Sequence, residues 1–201
     1  MSNATKEFET RAMISQQQYV EMVSFFMHLR GYNTFIQNTN IYFDTDSLFL
    51  LNNHITLRLR SINEVQSELT LKIKGSNGDD EITDSLTPKD VDSLLNQNIF
   101  PGGKVRKYLL TLETPLSDYQ QIAKLYNRRL EIPFSDHTLV IDKNVYGDIT
   151  DYNIEIEAKN NIEEAQKYLK EYIDKFNLDQ PNEKYIGKAR RAISEARKKR
   201  N

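Results

Sequence analysis

In the segment EFETRAMI, Glu7, Glu9 and Arg11 alternate with Phe8, Thr10 and Ala12, and this alternation narrows what the chain can fold into. Successive side chains along a strand point to opposite faces, so the three charged groups leave one face together, about 7 Å apart. The pattern recurs. TLRLR puts Arg58 and Arg60 on one face, LTLKIK does the same with Lys72 and Lys74, and YNIEIEAK with Glu155 and Glu157. In the two middle segments the other face is apolar, built from Ile55, Leu57 and Leu59 and from Leu69, Leu71 and Ile73.

Strands of this kind can be arranged in two ways. Their apolar faces can meet inside while the charges look out to solvent, or the sheet can close with the charges lining a bore and the apolar face outward under helices. The helical segments favour closure, because they carry apolar stripes that need a partner. Tyr19, Met22, Val23, Phe26 and Leu29 form one such stripe, and Ala165, Tyr168, Leu169, Tyr172 and Phe176 form another. The charges are also of both signs, acidic on the first and last strands and basic on the middle ones. Isolated charges in a closed lumen cost several kcal/mol each, so such a bore must be wet and must hold compensating ions. Carboxylates on one wall suit a hard divalent cation, and arginine and lysine on the other suit a polyphosphate. A metal-bound triphosphate satisfies both walls.

The order of elements is consistent with an α+β chain. After the first strand, Ser15 is placed to cap a helix that Gly31 ends. Strands are expected at Asn38–Asp44, Ile55–Ile62, Glu68–Lys74 and Glu81–Asp84, with links short enough to make neighbours antiparallel. Thr87-Pro88 opens a helix running to Leu95, a short helix is expected over Lys104–Leu110, and SDYQQIAKLYN is expected to be helical. Strands return at Arg128–Phe134, Thr138–Tyr146 and Asp151–Ala158, followed by a helix from Ile162 and a last one over KYIGKARRAISEARKKRN. The histidines, His28, His54 and His137, sit in no metal spacing and are expected to be structural.

Composition removes several classes of function. Net charge is −2, so nothing in the overall balance calls for nucleic acid or an anionic membrane. There is no cysteine, which excludes disulfides, thiolate nucleophiles and cysteine-ligated zinc and is compatible with a reducing cytoplasm. Apolar runs fall far short of the roughly 20 residues that cross a bilayer. The expectation is one domain over residues 5–195 with a basic tail over 196–201, cytoplasmic, monomeric or homodimeric.

The ordered set of segments resembles the CYTH proteins, also called triphosphate tunnel metalloenzymes, especially the small ones of Gram-positive bacteria. EFETR stands where that family has ExExK, with Arg11 in the lysine place. YFDT (Tyr42 to Thr45), LRLR, ELTLK, RLE (Arg129 to Glu131), VIDK around Asp142 and DYNIEIE follow in family order, covering about Glu7 to Ala189.

The resemblance implies an eight-stranded antiparallel tunnel and chemistry on a triphosphate-containing small molecule with Mg²⁺ or Mn²⁺. It implies Glu7, Glu9, Asp142, Glu155 and Glu157 as metal carboxylates, and Arg58, Arg60, Lys72, Arg129 and Lys184 as phosphate ligands. Arg11, Glu9 and Glu157 would stand at the reacting atoms, and Lys74 and Glu131 are further candidates for the lining. Arginine at position 11 departs from the family, since a permanently charged guanidinium cannot act as a base. The reaction implied first is hydrolysis of inorganic triphosphate or a relative. Cyclisation of ATP, as in one CYTH branch, and non-catalytic binding of triphosphate or polyphosphate are the alternatives.

Overall fold

Ser15 marks the junction of the first strand and the first helix. Its hydroxyl accepts from the Gln18 backbone N–H at 3.2 Å while the Gln18 side chain accepts from the Ser15 N–H at 2.8 Å, a reciprocal cap. The computed structural model of the chain describes residues 4–31, 34–76, 78–178 and 186–199, apart from the side chains of Leu29 and Arg30. Leu29, the last member of the first apolar stripe, therefore lies outside the described side chains.

In chain order the elements are β1 (Thr5–Ile14), α1 (Gln16–Arg30), β2 (Ile36–Asp44), α2 (Phe49–Asn52), β3 (Ile55–Ile62), β4 (Gln66–Ile73) and β5 (Asp79–Leu86). They continue with α3 (Pro88–Gln97), α4 (Lys104–Leu109), β6 (Gln120–Pro133), β7 (His137–Tyr146), β8 (Ile149–Ala158), α5 (Ile162–Phe176) and α6 (Lys188–Lys198). The eight strands form one closed antiparallel barrel in the order β1-β5-β4-β3-β2-β6-β7-β8, with β8 returning to β1. Tight turns set the hairpins: Asn63 and Glu64 both adopt positive φ (51° and 59°) between β3 and β4.

The greasy faces point outward, as the apolar stripes of the helices predict. Leu57, Leu59, Leu69, Leu71 and Ile82 meet Leu94 of α3 and Val105 and Leu109 of α4 in one buried cluster. On the other side, Leu130, Ile141, Ile154 and Ile156 are covered by Met22 and Phe26 of α1 and Leu169 and Tyr172 of α5. The helix α6 differs from the rest. It sets Ala192 and Ile193 against Tyr42, Ala123, Leu125 and Tyr146, while its first residues reach the bore. No helix among the described residues is long and apolar enough to cross a membrane.

SDYQQIAKLYN is not a helix. A single 3₁₀ turn at Leu116–Asp118 gives way to the long strand β6, which pairs with β2 from Asp44↔Gln120 to Ile36↔Arg129. Ile122, Leu125 and Tyr126 fit a helical spacing, but Ala123, Leu125, Asn127 and Arg129 fit a strand period equally well, and pairing with β2 decides between them. The last helix starts at Lys188, with Gly187 as its cap residue, and the KY that would have opened it lies outside the described residues.

Candidate active site

The register of β1 against β8 sets Glu9 opposite Glu157 and Arg11 opposite Glu155. All four look into the bore, because their neighbours Ala12, Ile154 and Ile156 are committed to the outer core. Glu9, Glu155 and Glu157 each bring a carboxylate oxygen to within 4.8 Å of the others. Arg11 reaches two of the three: Nη2 donates to Glu9, and Nη1 stands 3.6 Å from Glu155 Oε1.

The rest of the acidic row is tied to fixed cations. Lys72 Nζ donates to Glu7 Oε2 and Glu9 Oε1, both at 2.7 Å. Arg129 makes two bonds to Asp142, from Nε and Nη2 at 3.0 Å each, and a third from Nη2 to Glu155 Oε2 at 3.0 Å. Lys188, at the start of α6, donates to Asp142 and, at 3.0 Å, to Glu155. Beside this ionic cluster runs a neutral rung of amides, Asn38 to Asn127 to Asn144 to Asn153, at 3.1, 3.0 and 2.8 Å.

Across the bore stands the basic wall. Arg60 Nε donates to Asn40 Oδ1 at 3.2 Å, and both Arg58 and Arg60 lean toward Glu68, at 3.9 and 3.5 Å. Arg58 Nε is buried and has no hydrogen-bond acceptor among the described residues. Arg58 and Glu157 line the same cavity of about 460 Å³, together with Glu7, Arg60, Lys72 and Lys74. The charged faces therefore enclose a bore and do not decorate the exterior. The expected segregation of sign by strand is only partial, because Arg11 stands on β1, Asp79 and Glu81 of β5 line the cavity, and Arg129 sits among carboxylates.

Burial and neighbours split the carboxylates into two kinds. For Glu155, Asp142 and Glu9, burial favours the protonated form but is outweighed by adjacent cations, so all three titrate below their ordinary value. Lys188, Arg11 and Arg129 hold Glu155 down, Arg129 and Lys188 hold Asp142, and Arg11 and Lys72 hold Glu9. Glu157 goes the other way: burial, with Glu155, Glu9 and Glu7 nearby, overcomes Arg129 and raises it to about 7. On the basic wall, burial and then Arg58 and Arg129 lower Arg60 to about 10.

These features fit a hard cation. The donors at Glu9, Glu155 and Glu157 are all carboxylate oxygens, and Glu157, which among the described residues has only Arg129 Nη1 at 3.9 Å as an ion-pair partner, is the least compensated of the three. Of the residues singled out in the sequence, Glu7 and Asp142 stand outside that trio, held by Lys72 and by Arg129 with Lys188. Lys184 lies outside the described residues. Glu131 pairs with Arg129 at 3.4 Å but is not part of the cavity lining.

Several lining residues escape the sequence reading. Tyr42, which alternates with Ile41 and Phe43 and is expected to pack, both packs under α6 and lines the cavity; Asn40 shares its face, whereas Asn127 is hidden by reading its segment as a helix. Lys188 gives no signal beyond its place in a basic run. His54, expected to be structural, lines the cavity, while His137 is stacked between Phe134 and Tyr168 on the outside.

Comparison with known proteins agrees with this geometry. The family model described as CYTH domain matches residues 5–182. YjbK of Bacillus subtilis (strain 168), provisionally named a triphosphatase, is 30% identical over 174 residues, 87% of this chain and 88% of that protein. A crystal structure from Bacillus halodurans, provisionally described as an adenylate cyclase, is 27% identical and superposes with a TM-score of 0.84 over 94% of this chain and 97% of the other. The Hippeastrum protein HpAC1, described as having a dominant triphosphatase activity, shares the fold at a TM-score of 0.73 and 17% identity, over 90% of this chain and 92% of its own.

Proposed function

The chain belongs to the CYTH domain family, and from that premise we propose that it hydrolyses a triphosphate with the help of a divalent metal, inorganic triphosphate being the first candidate. One observation carries the proposal: a carboxylate trio and a pair of arginines, one with an unused N–H, face each other across a single cavity.

Mg²⁺ or Mn²⁺ would be held by Glu9, Glu155 and Glu157. When bound, such an ion neutralises phosphoryl oxygens and lowers the pKa of a water. The chain's own groups do the rest. Arg58 and Arg60 bind phosphate oxygens on the far wall, and a guanidinium fork suits them. Arg129 and Lys188 hold Glu155 in place through bonds of 3.0 Å each, and Lys72 does the same for Glu9 at 2.7 Å. Arg11 stays protonated and so cannot take a proton from water; its part is to bind charge. In-line attack of water on the terminal phosphorus then breaks the bridging P–O bond and releases pyrophosphate and orthophosphate.

The test is a phosphate-release screen with inorganic triphosphate, thiamine triphosphate and nucleoside triphosphates, each with Mg²⁺ and with Mn²⁺. Release is expected, with a loss of at least about 100-fold in Glu9→Gln. No release from any of them overturns the proposal. The resemblance to the Bacillus halodurans structure keeps cyclisation as a second reading, and cyclic AMP with pyrophosphate as the products from ATP would establish it in place of ADP with phosphate.

A further inference from the structure

Glu9 and Glu155 are two of the three carboxylates that fit a metal, and Arg11 already lies between them. The side chains concerned are largely shut off from water: Arg11 is 19% exposed, Glu9 10% and Glu155 4%. Solvent therefore screens little of the attraction. A guanidinium is a permanent cation and cannot be titrated away to make room. Among the described residues, moreover, other cations also hold these two carboxylates, Lys72 on Glu9 and Arg129 with Lys188 on Glu155, so both are paired before any ion arrives. A dication entering alone meets two of its three carboxylates already engaged by cations.

We infer that Arg11 makes metal binding conditional on the phosphate chain: it occupies Glu9 and Glu155 while the bore lacks an anion and turns to the phosphate oxygens when one arrives, leaving those carboxylates to the metal. This rests on the reading of the site as a metal and triphosphate site. A guanidinium can make the exchange because its planar fork matches carboxylate and phosphate alike. Thermodynamic linkage requires the effect to be mutual, so phosphate tightens the metal by the factor by which the metal tightens phosphate.

The experiment titrates Mn²⁺ into the protein, reading free Mn²⁺ by electron paramagnetic resonance, with and without inorganic phosphate. In the unaltered chain phosphate is expected to tighten Mn²⁺ by about tenfold, within the usual range of coupling between sites. Arg11→Gln is expected to bind Mn²⁺ alone about tenfold more tightly than the unaltered chain and to gain less than about threefold from phosphate. Lys74→Gln, which removes a positive charge from the same cavity without touching the trio, controls for the general field and is expected to change Mn²⁺ affinity by less than about threefold.

Equal Mn²⁺ affinity with and without phosphate in the unaltered chain overturns the inference, and needs no variant to fold. So does an Arg11→Gln protein that is folded by circular dichroism yet binds no tighter, or a Lys74→Gln gain equal to that of Arg11→Gln. Those outcomes leave the metal site itself standing. Absence of Mn²⁺ binding under every condition overturns both the inference and the function on which it rests.

Discussion

Arg129 and Asp142 face each other across β6 and β7 and are joined by two parallel N–H···O bonds of 3.0 Å each. Asp142 has no exposed surface, so neither oxygen meets water and both depend on protein donors. The pair is the fixed back wall of the site, and from it Arg129 extends a third bond to Glu155.

Removing Arg129 should therefore act on stability before it acts on chemistry. Arg129→Ala leaves Asp142 to Lys188 alone and Glu155 to Lys188 and Arg11, and is expected to cost about 3 kcal/mol, the lower end for breaking a buried ion pair. Arg129→Lys keeps the charge but loses the fork and is expected to cost less. Urea denaturation of the three proteins, compared at equal slope, checks the order.

Glu157 sets a pH dependence in the metal-free chain. Folded, it holds its proton up to about 7, whereas in the unfolded chain it titrates near the ordinary glutamate value. Between those values the folded state binds more protons, so stability is present in full below about pH 4 and falls as pH rises toward 7 and just beyond. The side chain is 45% exposed, and with solvent screening allowed for, the change should be about 1 kcal/mol. Melting temperatures measured in EDTA from pH 5 to 8 should decline, and Glu157→Gln should flatten the decline.

The crowded guanidinium wall should bind an anion without any metal. Burial and the charges of Arg58 and Arg129 already hold Arg60 down to about 10, and a bound anion relieves that repulsion. In EDTA, tripolyphosphate at about 100 times its dissociation constant should stabilise the protein by about 2.7 kcal/mol. Arg58→Ala removes the unused Nε–H and should abolish most of that shift, as read by thermal melting.

Gly103 is required by contact and not by its backbone angles. A Cβ there would stand 2.3 Å from Asp84 Oδ2, and Asp84 is the carboxylate that accepts from the N–H groups of Lys104 and Val105 at 3.0 and 2.8 Å. Gly103→Ala should dislodge this cap of α4 and cost about 1–2 kcal/mol, the usual worth of a lost helix cap. Measured cavity-site binding of tripolyphosphate should be unchanged, since α4 lies outside the barrel.

Much of the barrel was legible because its strands are short, regular and charged on one face. Glu7, Glu9 and Arg11, or Arg58 and Arg60, announce a shared face wherever they fold. The segment from Gln120 to Asn127 was misread because its apolar residues satisfy helical and strand periods together, and only hydrogen bonding to β2 separates them. Lys188 could not be read at all, because its bonds to Asp142 and Glu155 span 46 and 33 positions and require α6 to reach the bore.

What the sequence determined alone was local: which side chains share a face, where Ser15 and Thr87 start helices, and that both signs of charge were available for one ligand. The apolar stripes of the helices already favoured inward charges; the tertiary structure decided the rest, namely that β1 closes on β8 so Glu9 meets Glu155 and Glu157, and that Asp142 is held behind Arg129. The physical reason is range. A two-residue period is written into each strand by backbone geometry, whereas the meeting of side chains from opposite ends of the chain depends on the closure and register of all eight strands at once.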